Sequence, residues 1–69
     1  MGVKEKFFSE FTIVRMSKSS LVVRDKDGRE SYIHRNAFNN LDIAQDYRLI
    51  KRVEMNGQWW IEVLVWKIF

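Results

Sequence analysis

The chain has no cysteine. That excludes a disulfide framework, a thiol nucleophile and a thiolate zinc site. One histidine, His34, excludes a metal site built from histidines of one chain. Proline is absent and only three glycines occur, and neither a linker, a repeat nor a low-complexity run divides the sequence. No apolar run approaches the roughly 18 residues that cross a bilayer. The opening residues, Met-Gly-Val-Lys-Glu-Lys, lack the apolar stretch of a secretory signal. A phosphate-cradling glycine loop is missing, and His34 stands in no recognisable motif with a serine nucleophile. These absences set the expectation of a soluble, cytoplasmic, non-enzymatic protein without cofactor, metal or membrane contact, folded as one domain over residues 1–69.

Within those limits the composition is globular: 46% of the 69 residues are apolar and 30% charged. A chain of this length buries only about 60% of its unfolded surface, so its core has to be efficient. The net charge of +3 is unevenly placed. Residues 1–35 hold eight Lys and Arg against five Asp and Glu, whereas residues 36–69 hold four of each. A basic first half attracts phosphates if its cations cluster, and does little if they are evenly mixed with acids. Aromatics are 14% of the chain and crowd its ends, with Phe7, Phe8 and Phe11 at one and Trp59, Trp60, Trp66 and Phe69 at the other. Most must serve as core; some remain for a ligand or partner.

Alternation of apolar and polar residues predicts five strands. The first runs from about Glu10 to Met16, with Phe7 and Phe8 at its start or in a preceding turn. The second covers 20–25, with Leu21 and Val23 on one face and Val22 and Arg24 on the other. Asp27-Gly28 marks a hairpin, since glycine accepts the positive φ of a tight turn. The third strand is 29–34, with Ile33 inward and Tyr32 and His34 sharing the opposite face. Residues 35–46 break the alternation. Asn36 reads as an N-cap for a short α or 3₁₀ segment whose Phe38 and Leu41 plug one end of the sheet. A fourth strand at 47–53 and a fifth at 58–67 flank Asn56-Gly57, a strong hairpin signal.

The order β-β-β-short helix-β-β is the connectivity of a small, five-stranded antiparallel barrel of OB type, all-β apart from one helical connector between strands 3 and 4. Closing the barrel would remove exposed edges. A Src-homology-3-like barrel also has five strands, but its helical turn normally comes just before the last one.

Residues 24–38, Arg-Asp-Lys-Asp-Gly-Arg-Glu-Ser-Tyr-Ile-His-Arg-Asn-Ala-Phe, resemble the second hairpin of cold-shock domains. There an Asp-Gly turn leads into a strand of the form apolar-Phe-Val-His. The resemblance implies an OB barrel that binds nucleic acid, with Tyr32 in the place of the stacking Phe and His34 in that of the base-contacting His. The other cold-shock motif, Lys-Gly-Phe-Gly-Phe, opens near Lys18 but is not present. Its aromatics would fall near Ser20 and Val22.

Two functional surfaces are expected, on different faces. On strands 1–3, Tyr32 and His34 stack or hydrogen-bond bases of single-stranded RNA or DNA, RNA foremost, while Arg15, Lys18, Arg24 and Arg35 contact phosphates. The plainer alternative makes Tyr32 and His34 ordinary surface residues paired with Arg24 or Glu30. On the last strand, Trp60, Leu64 and Trp66 form an apolar stripe. It packs on Phe7 and Phe8, or docks a protein partner or a second copy of the chain, as in a small phage or bacterial accessory protein. A base-stacking role for Trp60 is a third option. Asp25/Asp27 and Asp42/Asp46 are the carboxylate pairs, and turn formation explains the first without chemistry.

Overall fold

The computed structural model describes residues 2–65. Helix α1 (Val3–Glu10) precedes strands β1 (Thr12–Met16), β2 (Ser20–Arg24) and β3 (Glu30–His34). Helix α2 (Arg35–Asn39) and two 3₁₀ turns (Asn40–Asp42 and Tyr47–Leu49) lead to β4 (Ile50–Met55) and β5 (Gln58–Val63).

Both glycine-marked hairpins form where expected. In the β2–β3 turn, Oδ1 of Asp25 accepts from the backbone N–H groups of Asp27 and Arg29, each at 2.9 Å, and Gly28 sits at φ +83°. In the β4–β5 turn, Asn56 and Gly57 have φ of 52° and 80°. Two positive φ values in succession define the type I′ turn, whose twist matches that of the flanking strands.

The five strands form one sheet in the order β1-β2-β3-β5-β4. Antiparallel pairing throughout is not what the fold shows. β3 and β5 run parallel, with Tyr32 opposite Trp60 and Ile33 opposite Ile61. The cause is the connection: the helical segment and β4 carry the chain across, so that β5 returns beside β3 in the same direction. Nor is the sheet closed, because β1 and β4 stand at its two edges without pairing.

The inner face carries the core. Leu21, Val23, Ile33, Ile61 and Val63 are buried against Phe7 from α1 and Leu41 from the connector. The segment before β1 is thus a helix and not the beginning of a strand. Val3 and Phe7, four residues apart, share one helical face and both pack on the core. Phe7 lies against Phe11 with ring centroids 4.8 Å apart. Edge-on contacts join Phe7 to Phe8 at 5.7 Å and Phe8 to Phe38 at 5.9 Å. The hydroxyl of Tyr47 donates to the carboxylate of Glu10, and Lys4 Nζ lies 2.7 Å from Asp42. Helix α1 is therefore tied to both 3₁₀ turns, and its Phe7 and Phe8 pack on each other and on Phe38 of the connector.

Other boundaries move for local reasons. Asn36 is an exposed residue inside α2, and His34 occupies the N-cap without a side-chain bond. Asp46 caps the turn at Tyr47–Leu49 through the N–H of Arg48, which delays β4 to Ile50. The last strand ends at Val63. Beyond it the N–H of Leu64 donates to the carbonyl of Leu49 at 2.9 Å. No helix among the described residues is long and apolar enough to cross a membrane.

Candidate functional site

Side chains alternate across a strand, so the residues between the core positions form the outer face; on β1 a bulge between Ile13 and Arg15 breaks the alternation, so that Ile13 packs on the core while Arg15 stands opposite Val22. Register places Arg15, Val22, Tyr32, Trp60 and Val53 in one row across all five strands, with β5 and Trp60 directly beside β3 and Tyr32. Ser20 stands opposite His34.

The three rings on this face form one group. Trp60 packs against Tyr32 with centroids 5.1 Å apart and planes inclined by 30°. It stacks on His34 at 4.4 Å and 21°. Two residues of one strand on the same face are spaced by roughly 6.6 Å, which leaves room for the indole to bridge them. Each such contact contributes about 0.5–1.5 kcal/mol beyond burial, so the group is preordered. His34 is exposed, and Tyr32 and Trp60 are half-buried.

The cations fall into two pairs. Arg15, on β1, and Lys18, in the β1–β2 turn, are exposed and make no hydrogen bond or ion pair among the described residues. Arg24 and Arg35 are engaged. Arg24 donates to Glu30 at 2.8 Å, and that hydrogen bond holds the Glu30 carboxyl below its usual range, aided by the charges of Arg24 and Arg15. Arg35 donates to the carbonyl of Ser17 at 2.8 Å while its backbone N–H donates to Ser19 at 2.8 Å. It braces the β1–β2 turn against the start of α2. Thus Arg15 lies in the same row as Tyr32 and Trp60, whereas Arg35 has a structural task.

Of the options for Trp60, the packing and protein-docking stripe with Leu64 and Trp66 sets it apart from Tyr32 and His34, and the base-stacking option sets it with them. In the structure it stands between those two rings. Leu64 is 37% exposed just past the end of β5, and Trp66 lies outside the described residues. Trp60 of β5 is the ring whose neighbouring strand no local sequence pattern gives. Alternation told its side, but not its neighbour.

Beside Tyr32, on the flank away from Trp60, lies a hollow of about 270 Å³ lined by Arg15, Met16, Ser17, Ser20, Val22 and Tyr32. A larger hollow of about 480 Å³ opens between the start of α1 and the connector, lined in part by Phe8, Leu41 and Ala44. Its lysine, Lys4, is paired with Asp42. Among the described residues no group of three or more His, Asp or Glu is placed to hold a metal ion.

No protein-family model, curated protein or solved structure matches the chain.

Proposed function

We propose that this domain is a non-enzymatic module that binds single-stranded nucleic acid, RNA ahead of DNA, on the outer face of β1, β2, β3 and β5. The observation that carries the reading is the group of Tyr32, Trp60 and His34, half-buried to exposed among the described residues, with Arg15 in the same row. Single strands are bound by such combinations, in which rings take the faces of bases and cations take phosphates. The strand order, with β5 inserted beside β3, supports an OB-type domain, a partly open five-stranded barrel that uses the face of its second and third strands for oligonucleotides. The likeness of residues 24–38 to the cold-shock hairpin points the same way. The aromatics that this likeness lacks on β2 have a counterpart on β5, where Trp60 supplies the third ring.

Stacking contributes about 1–3 kcal/mol per base. Two stacked bases contribute roughly 2–6 kcal/mol, which by itself reaches tens of micromolar affinity at the strongest. Tyr32 would hold one base, His34 another, and Arg15 and Lys18 the phosphates between and beyond them.

The test is the affinity of a fluorescently labelled eight-nucleotide strand for the Tyr32→Ala variant. We expect a loss of about five- to 150-fold, the equivalent of one stacked base. The half-exposed position makes the fold tolerant of the change, which circular dichroism would check. Equal affinity of wild type and variant contradicts the assigned face.

A further inference from the structure

We infer that the hollow beside Tyr32 is a slot for a single nucleobase, held between the Tyr32 ring and the Arg15 side chain; this rests on the single-strand reading above and specifies how that site is built. Three neighbouring strands carry Arg15, Val22 and Tyr32 at one register level. The outer two are long side chains. The middle one is a short valine, 6% exposed, which forms the floor. Strands two places apart are roughly 9.5 Å from each other. A flat ring touching a planar group on each side needs about 7 Å, twice a carbon–carbon contact distance. The hollow is an open depression of about 270 Å³, roomier than the roughly 150 Å³ of an enclosed cavity that holds benzene.

The slot lies where the cold-shock-like reading looks for rings and does not find them. Both Ser20 and Val22, the two positions in question, line the hollow. Small side chains there convert what would be a flat aromatic surface into a depression. Trp60 meanwhile occupies the β5 side of Tyr32, so the β2 side is where Tyr32 meets the hollow. The guanidinium of Arg15 can stack on a base and attract its phosphate. The chemical class of ligand is a single base bearing a phosphate, either as a free nucleotide or as one residue of a strand.

The experiment is an NMR titration of the full chain with adenosine 5′-monophosphate and, separately, with an eight-nucleotide single strand, for wild type, Val22→Phe and Arg15→Met. With the slot, the mononucleotide moves the amides of Arg15, Ser20, Val22 and Tyr32. Val22→Phe, which fills the hollow, weakens it at least tenfold, and Arg15→Met weakens it about fivefold. A folded Val22→Phe that binds the octanucleotide as well as or better than wild type overturns the slot, because the added ring then acts as a stacking surface. That result leaves the single-strand reading standing. Binding of the octanucleotide by wild type with no mononucleotide response at these amides does the same. If neither probe shifts the outer face, both readings fall. Should Val22→Phe not fold, Arg15→Met decides, and unchanged mononucleotide affinity overturns the slot.

Discussion

The two faces of the sheet differ less in composition than in cover. Inward, Leu21, Ile33 and Ile61 lie beneath Phe7 and Leu41, and none of the three is more than 1% exposed. Outward, the alternating residues Val22, Tyr32, Trp60 and Val53 form a row of similar apolar content on the side away from Phe7 and Leu41, with no helix above it among the described residues. A small domain that has elements enough to cover only one face normally makes the other polar. Here the outer face keeps three rings together, Tyr32 and His34 each in contact with Trp60. The inner face is explained by folding, and the outer one carries the proposed binding site.

The comparison is broken most severely through the inner face. Phe7→Ala removes a fully buried ring that holds α1 to the sheet, and we expect a loss of about 3–5 kcal/mol in urea unfolding. A loss below about 1 kcal/mol would mean that α1 is an appendage and that the inner face is covered by something else. Tyr32→Ala is its counterpart, with a small effect on unfolding and a large one on affinity.

The outer face is sharpened by salt. With Arg24 and Arg35 engaged inside the fold, the proposed site leaves Arg15 and Lys18 to contact phosphates. About two contacts to a single strand give a log–log salt slope near −1.4, or roughly a sevenfold loss of affinity between 50 and 200 mM salt. A slope near −2.8 would show that all four cations reach phosphates and that the Arg24–Glu30 pair opens on binding.

Acid has the smallest effect. Backbone N–H bonds from Arg29 and Asp27, with the charges of Arg29 and Arg52, lower the Asp25 carboxyl from 3.8. Arg24 lowers Glu30 from 4.5, and Arg48 lowers Asp46 from 3.8. In each case the unfolded chain binds the proton more readily. The stability these groups contribute is therefore present above their unfolded values and is lost as pH falls below about 4. Thermal unfolding should be flat between pH 6 and 8 and decline below 4.5. Asp25→Asn should reduce that decline. A melting temperature that rises on acidification would contradict the assignment of these turn contacts.

How far the sequence could be read depends on the range of each interaction. Asp25 and Gly28, and Asn56 and Gly57, act within four residues, and their hairpins were legible with nearly correct limits. The faces of β2 and β3 were legible as well, because alternation is a local property. Helix α1 was not. Val3 and Phe7 at a spacing of four signal it, but Phe7 and Phe11 also continue into the alternation of β1, and the strand pattern absorbed them. Asp46 begins a capped turn, yet its residues share apolar content with the strand that follows. The parallel pairing of β3 with β5 is the long-range case. It joins residues 28 positions apart, Tyr32 and Trp60, and no local pattern encodes which strands become neighbours. For that reason Tyr32 and His34 could be placed on one face from alternation, whereas the bulge that turns Arg15 to that face and the pairing that sets Trp60 beside Tyr32 and so chooses among the three options for Trp60 could not.

The most direct test of the outer face is a two-dimensional NMR titration with a mixed-sequence single strand, following the side-chain signals of Tyr32, His34 and the Trp60 indole. Shifts that saturate together at these three rings, with Phe8 and Leu41 unmoved, are the predicted result. Saturating shifts at Phe8 and Leu41 alone, or rings that stay still while the strand is bound, would contradict it.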